Sequence, residues 1–267
     1  MILKKFPKKS LGQNFLIDDN IIKKIVNISK NIKNKTVLEI GAGSGNLTVE
    51  ILSNNPKKII AIEIDKNLSI FLKNRFTSKK NLEIVNEDIL NMLTKNSFGK
   101  NVIVFGNLPY NISTQILASL IILKKWPPWY ESLIFMFQKE VADRILAKNG
   151  SKEFGRLAVL CGWRLEIKKH FDVSMNCFNP KPKVNSTVLS FIPKKEIKYK
   201  IKNPKNLELV TRVMFSSRRK MINKSLMKLF YKNKSLIRNL NLDMRCRPEE
   251  LSNETFYKIV ENYEKIK

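Results

Sequence analysis

Short β-rich runs recur along the chain from residue 36 onward: "TVLEI" at 36–40, "KIIAIEI" at 58–64, "LEIVN" at 82–86, "NVIVF" at 101–105 and "SLIFMF" at 132–137. The stretches between them carry helical spacing. That alternation predicts an α/β fold, a mostly parallel sheet with helices on both faces. Ahead of it, "IDDNIIKKIVNISK" places Ile21, Ile22, Ile25 and Val26 on one helical face behind a cap at Asp18 or Asp19.

The rhythm stops near "FNPKPKVNSTVLSFIPKK", where prolines punctuate a last strand-like run at 186–192. A boundary is expected near residue 194, dividing the chain into 1–193 and 194–267. Beyond it, helical periodicity runs through Val210, Val213 and Met214 and again through Leu226 and Leu229. This predicts a small all-α unit with Arg218, Arg219, Lys220 and Lys224 as a basic, RNA-binding surface. The first ten residues, "MILKKFPKKS", read as a basic arm, and no internal repeat is visible.

A chain of 267 residues that is 43% hydrophobic is long enough for one substantial core and a smaller second one. Its longest apolar stretches, such as "ILASLIIL" at 116–123, fall short of the roughly 20 residues that span a bilayer, so no membrane partner is expected. The N-terminus lacks an apolar signal core. Cys161, Cys177 and Cys246 are odd in number and far apart, which points away from disulfides and zinc and towards a reducing, cytoplasmic setting. The formal net charge of +27 makes a polyanion the expected partner, nucleic acid ahead of an anionic membrane. The excess is mostly Lys in a chain also rich in Ile and Asn, a bias that genome composition can produce as well as selection for binding, so charge only supports the reading. The lone His170 has no Ser, Cys or Asp partner in a catalytic pattern and reads as structural or exposed, while Trp126 and Trp129 in "WPPWY" read as packing residues.

Chemistry enters with "VLEIGAGSGNLT". Gly41, Gly43 and Gly45 follow the first strand of the sheet and precede a helix, where the backbone must turn sharply against a ligand. A dinucleotide fingerprint would need Gly at position 46, but Asn46 stands there; Glu39 instead gives the spacing ExGxGxG. That pattern resembles the first motif of S-adenosylmethionine-dependent methyltransferases. At the end of the next strand, "AIEID", Glu63 is placed to accept from two ribose hydroxyls, with Asp65 as its competitor. In "NEDIL", Asp88 can accept from an adenine amine, with Ile89 beside the ring. Helix capping is the plain alternative for any one of these carboxylates. Together, at successive strand ends, they point to one pocket at the carboxyl edge of the sheet.

The stretch "FGNLPYNIS" at 105–113 follows the fourth run. An adenine amine is a poor nucleophile because its lone pair is delocalised into the ring. Acceptors that draw it towards tetrahedral geometry correct this, and the Asn107 side-chain oxygen and Leu108 carbonyl can both accept from it. Pro109 fixes its own φ and biases Leu108 away from helix, and Tyr110 offers a ring face for the target base. A base inside a duplex cannot reach such a platform, so the target is flipped out or lies in a loop. A plain proline turn with a buried Tyr is the competing explanation for the tetrapeptide alone.

With these motifs in place, the chain closely resembles the ribosomal RNA adenine N6,N6-dimethyltransferases, the family that includes the bacterial KsgA enzyme, its eukaryotic counterparts and the Erm resistance methylases. The elements are "SLGQNFLID" at 10–18, "EIGAGSGNLT" at 39–48, "AIEID" at 61–65, "NEDIL" at 86–90, "FGNLPYNIS" at 105–113, "FQKEVADRI" at 137–145, "FGRLAVL" at 154–160 and "FNPKPKVNSTV" at 178–188. Together they reach across nearly the whole chain. The resemblance implies a Rossmann-like catalytic domain with a small C-terminal all-α domain. It implies that Asn14 and Leu16 help close the cofactor pocket, that Gly41, Gly43, Glu63, Asp88 and Ile89 bind S-adenosylmethionine, and that Asn107 touches both cofactor and target amine. Phe178 corresponds to an aromatic that sandwiches the adenine against Tyr110. Ala42 and Ser44 depart from the proline and leucine that many members carry in the glycine loop.

Within the family, "FSSRRKMINKSL" at 215–226 resembles the KsgA tail. The implied reaction is dimethylation of two adjacent adenines in a hairpin loop near the 3′ end of small-subunit rRNA, performed by a monomer on a pre-30S particle. An unpaired loop also suits sequence-specific RNA reading, since the A-form groove hides base edges. An Erm-type enzyme acting on large-subunit rRNA is one alternative. A DNA adenine methyltransferase is another, although an Asn/Asp-Pro-Pro-aromatic motif is expected there and Leu108 stands before Pro109. A non-catalytic assembly factor is a third, against which the intact Asn107, Glu63 and Asp88 argue.

Overall fold

The Asp18 side chain accepts from the Ile21 N–H at 3.0 Å and opens the first helix, resolving the choice between the two predicted caps. In the computed structural model, which describes residues 12–95, 98–231 and 233–266, this helix is α1, Asp19–Val26; the strand β1, Phe15–Leu16, precedes it. The basic arm at 1–10 and the first two residues of "SLGQNFLID" lie outside the described residues.

The chain forms two compact units. The first takes the described residues up to Leu120 with Pro128–Ala142 and Ile167–Pro193. Its strands β2 (Thr36–Ile40), β3 (Lys58–Ile62), β4 (Leu82–Val85), β5 (Val102–Gly106) and β6 (Tyr130–Gln138) correspond to the five predicted runs. Between them lie α2 (Asn46–Ser53), α3 (Lys66–Arg75), α4 (Ile89–Lys95) and α5 (Ser113–Ile121); α6 (Lys139–Leu146) follows β6. Strand pairing from β4 through β3, β2 and β5 to β6 is parallel, which requires the long helical crossovers that the spacing predicted. All five residues of β5 are buried, as strands covered on both faces are.

Two additions to the sheet lie further along the chain. After α7 (Arg156–Arg164) come β7 (Leu165–Val173), β8 (Phe178–Asn179) and β9 (Ser186–Pro193). The strand expected at 186–192 is β9; it runs antiparallel to β6, with β7 at its other side, so the sheet order is β4-β3-β2-β5-β6-β9-β7. No run was expected at β7, because "LEIKKHFDV" carries five charged or imidazole side chains and breaks the apolar pattern. Such side chains suit an edge strand, where they discourage pairing with another chain. Separately, β1 and β8 form a two-stranded antiparallel ribbon, Phe15 opposite Asn179 and Leu16 opposite Phe178.

The chain leaves β2 towards β3 and β4, then returns to β5 on the other side of β2. This reversal makes the carboxyl ends of β2 and β5 the crevice where ligands bind in open α/β sheets.

The second unit contains Ile121–Pro127, Asp143–Glu166 and the described residues from Lys194 onward. The boundary expected near 194 marks the start of its last stretch, but two earlier segments also belong to it. Its helices are α7, α8 (Pro204–Met214), α9 (Asn223–Leu229), α10 (Lys234–Arg238) and α11 (Asn253–Glu264). Phe215 stacks on Phe256 at 5.1 Å, and Phe154 packs on both rings. Arg164 is buried, with Nη1 donating to the Ile121 and Leu123 carbonyls at 2.8 Å and its guanidinium lying over the Trp126 and Trp163 rings. That anchoring ties the Ile121–Pro127 segment to α7, and the Tyr257 hydroxyl, donating to the Val159 carbonyl at 2.9 Å, ties α7 to the tail. Among the described residues, no helix is long and apolar enough to cross a membrane and no cluster of His, Cys, Asp and Glu could hold a metal ion.

Candidate active site

In the β2–β5 register Ile40 stands opposite Gly106, so the next residues, Gly41 and Asn107, leave the sheet side by side. The glycine loop then turns with Gly41, Gly43 and Gly45 at φ of +74°, +56° and +80°, backbone that side-chain-bearing residues rarely adopt. At Gly43 a Cβ would also lie 2.9 Å from the Phe15 ring, which shows how closely the N-terminal segment covers the loop. Asn46, where a dinucleotide fingerprint would have glycine, donates from Nδ2 to the Leu16 carbonyl at 2.9 Å. The side chain that breaks one motif thus clips β1 onto the loop.

Glu63, just beyond β3, is buried. Its Oε2 accepts from the Gly43 N–H and its Oε1 from the Asp65 N–H, both at 2.9 Å, so one carboxylate braces the glycine loop against its own turn. Burial pushes its pKa up, while those two N–H groups favour the charged form. Asp65, the competing acid, caps α3 through the Asn67 N–H and does not line the cleft described below. Asn86 ties β4 to this turn, its Nδ2 donating to the Glu63 and Ile64 carbonyls at 2.8 and 3.1 Å. Asp88 caps the start of α4 through Oδ1, accepting from the Leu90 N–H, and also faces the cleft; capping and lining coexist.

Beneath the loop, Glu39 is 1% exposed and accepts from the Thr48 hydroxyl at 2.6 Å. Burial first, then the nearby Glu63 charge, outweigh that hydrogen bond and push its pKa up to about 8. An unfolded glutamate titrates near 4.5, so between pH 4.5 and 8 the folded state holds a proton that the unfolded state has lost. Stability therefore falls as pH rises through that window, by on the order of 3 kcal/mol at pH 7 for this one group. Glu39→Gln is expected to flatten the decline; melting temperatures at pH 5 and pH 8 that fall equally in both proteins would contradict this assignment.

The facing wall is "NLPY". Asn107 donates from Nδ2 to the Asn14 carbonyl at 3.0 Å. A carbonyl only accepts, so this bond sets which way the amide points and leaves Oδ1 as the atom presented elsewhere. Leu108 anchors the turn with a side chain 1% exposed; a Cβ on Gly106 would lie 2.6 Å from its Cδ2. The Pro109 carbonyl accepts from the Ile112 and Ser113 N–H groups and starts α5. Tyr110 is half-buried, its hydroxyl 2.7 Å from Ser186 Oγ. The tetrapeptide is thus a turn as well as a wall.

Between these walls is a cleft of about 180 Å³, lined by Asn14, Gly41, Gly43, Glu63, Asp88, Ile89, Asn107, Leu108 and Tyr110. Nine of the expected residues therefore meet in one place. Leu16 is buried and lines instead a cavity of about 30 Å³ behind the glycine loop, with Glu39. Phe178 is 3% exposed, paired with Leu16 and packed into the core with Ile25 and Val188, and does not line the cleft. Gln13, Ile64, Asn111 and Ile112 also line it and were not anticipated. Ile64 carried a signal: a large aliphatic side chain directly after Glu63, half-exposed where the strand ends. Asn111 and Ile112 lie within the "FGNLPYNIS" stretch but carry no chemistry that assigns either a role from sequence.

In the helical unit, Arg218, Arg219, Lys220 and Lys224 are exposed. Arg218 Nη2 donates to the Lys152 and Phe154 carbonyls at 2.6 and 2.8 Å, so part of its donor set holds the turn before α7. His170 lies away from the cleft on β7, its Nε2 2.8 Å from Ser190 Oγ.

The sequence profile of the ribosomal RNA adenine dimethylase family matches residues 5–265. The chain belongs to the ribosomal RNA adenine dimethylase family. A relative from Pelagibacter ubique (strain HTCC1062), named ribosomal RNA small subunit methyltransferase A, is 45% identical over 97% of this chain and 98% of its own. A protein of the same name from a Wolbachia of Drosophila simulans is 39% identical, covering 98% of this chain and 96% of its own. Among solved structures, a dimethyladenosine transferase from Plasmodium falciparum superposes with a TM-score of 0.77 at 28% identity, over 94% of this chain and 98% of that one. The 23S rRNA methyltransferase ErmE superposes at 0.68 with 22% identity, over 94% of this chain and 100% of that one, and shares the fold. Family membership thus extends across both compact units.

Proposed function

We propose that this chain transfers methyl groups from S-adenosylmethionine to N6 of two adjacent adenines in a hairpin loop near the 3′ end of small-subunit (16S) rRNA, giving N6,N6-dimethyladenosine. The observation that carries the reading is the Asn107–Asn14 bond, which turns an amide oxygen to the side where an amine can be received, in a family of ribosomal RNA adenine dimethylases. The cleft chemistry fits the cofactor: a carboxylate at the β3 end for ribose hydroxyls, Asp88 for an adenine amine, Ile64 and Ile89 for the ring, and a left-handed glycine loop that keeps side chains out of the way. When bound, S-adenosylmethionine supplies an electrophilic methyl that accepts the nitrogen lone pair, with release of the thioether and one proton.

The residues of the chain then need only to bind and orient. Asn107 Oδ1 and the Leu108 carbonyl accept the two amine hydrogens and aim the lone pair; no strong base is required. Tyr110 stacks the base. Phe178 is assigned the opposite face, which from its buried position requires the segment around β8 to move when RNA binds. Arg219, Lys220 and Lys224, with the remaining donors of Arg218, contact phosphates and give a steep salt dependence. The chain works as a monomer in the cytoplasm on the pre-30S particle, as part of small-subunit biogenesis. Relatives of 39–45% identity named for the small subunit, against 22% for ErmE, favour this over the large-subunit alternative.

Incubating the purified protein with labelled S-adenosylmethionine and undermethylated small subunits is expected to yield N6,N6-dimethyladenosine by nucleoside mass spectrometry. No such product beside an active control enzyme would overturn the proposal.

A further inference from the structure

Ser186 opens β9 with 0% of its surface exposed, and its hydroxyl lies 2.7 Å from the Tyr110 phenol. Nothing in the motif readings gave this serine a task. The Tyr110 backbone is held by its neighbours: Pro109 restrains the turn, and the Ser113 hydroxyl donates to the Tyr110 carbonyl at 3.2 Å. Two side-chain torsions would still let the ring swing. The bond at its far end removes that freedom, tying the "NLPY" turn to a strand on the other side of β6.

We propose that Ser186 is a positioning residue for the target base, acting through Tyr110: its buried hydroxyl holds the plane of the ring on which the adenine stacks. This rests on the function proposed above. Burial also raises the Tyr110 pKa, so the phenol keeps its proton and stays able to donate or accept across the physiological range.

The contact matters unequally for the two transfers. An unmodified adenine amine has two hydrogens for Asn107 Oδ1 and the Leu108 carbonyl; after one methyl is added, one hydrogen remains and one acceptor loses its partner. Stacking then carries a larger share of holding the base. A ring that is in position only part of the time stacks less well, and the unmodified adenine, held by two hydrogen bonds, tolerates that loss better than the singly methylated intermediate, which is held by one.

The test is product partition with Ser186→Ala, Tyr110→Phe and the double variant on undermethylated small subunits. Each single change removes the same bond, so each is expected to raise the ratio of N6-methyladenosine to N6,N6-dimethyladenosine roughly 5-fold, the double variant to raise it no further, and S-adenosylmethionine affinity to stay as in the parent. A readout independent of turnover is the fluorescence of 2-aminopurine at the target position of a loop RNA, which stacking quenches; quenching is expected to weaken in all three variants. Should Ser186→Ala fail to fold, Tyr110→Phe removes the bond without disturbing the buried strand. An unchanged product ratio in Tyr110→Phe, or effects that multiply in the double variant, would overturn the proposal. Absence of dimethylated product with the parent chain would overturn the functional reading itself, and this inference with it.

Discussion

Replacing Asn107 with Ala is expected to lower methylation of small-subunit adenines by roughly 10³-fold, the range seen when one preorganised polar group is removed from a developing charge. The loss should fall on kcat, with binding of the ribosomal particle largely kept, because the basic surface of the helical unit is untouched. The geometry sharpens the expectation for a second variant. Asn107→Asp keeps an acceptor, but the atom replacing Nδ2 would face the Asn14 carbonyl, oxygen against oxygen, at the position of a 3.0 Å hydrogen bond. It is therefore expected to behave like Ala. Single-turnover rates separate the outcomes, and an Asp variant near parental activity would show that the bond to Asn14 does not orient the amide.

Glu63→Gln should act at the other end of the cleft. Each carboxylate oxygen already takes one backbone N–H, from Gly43 and from Asp65. A glutamine must turn an NH2 towards one of those donors, which leaves a buried N–H unpaired and costs about 3 kcal/mol of fold stability; with one acceptor oxygen lost to the ribose hydroxyls as well, cofactor affinity is expected to fall roughly 10-fold. Because Gly43 belongs to the loop itself, the defect reaches the cradle as well as the ribose. Calorimetric titration with S-adenosylmethionine should show weakened binding, whereas RNA affinity should stay within a few-fold. Wild-type cofactor affinity in this variant would remove Glu63 from the binding set.

The parallel strands were legible because each is a short apolar run, and the first helix because Asp18 sits where a cap must. The crevice followed from motifs at successive strand ends, and nine of the named residues line it. What was not legible depends on tertiary pairing. Strand β7 hides behind charged side chains that only an edge position explains. The helical unit takes up segments from the middle of the chain because Arg164, a residue type usually read as surface, is buried against the Ile121 and Leu123 carbonyls, and the Tyr257 hydroxyl donates to the Val159 carbonyl. Asn46 and Ser186 are polar residues whose partners, Leu16 and Tyr110, lie far away in sequence, and local pattern carries no trace of such contacts. Phe178 shows the limit of reading by resemblance, which supplied a role without revealing that the side chain is packed away in the core.

The β1–β8 ribbon also sets a timetable for synthesis. The glycine loop, Glu63, Asp88 and Asn107 are all made within the first half of the chain, yet Phe15 and Leu16 meet their strand partners only when residues 178 and 179 have left the ribosome. Until then the N-terminal wall, whose Asn14 carbonyl orients Asn107, lacks its outer ladder. A nascent chain can thus assemble most of the cleft early, while the strand that covers the glycine loop gains its ladder partner only once two-thirds of the polypeptide exists.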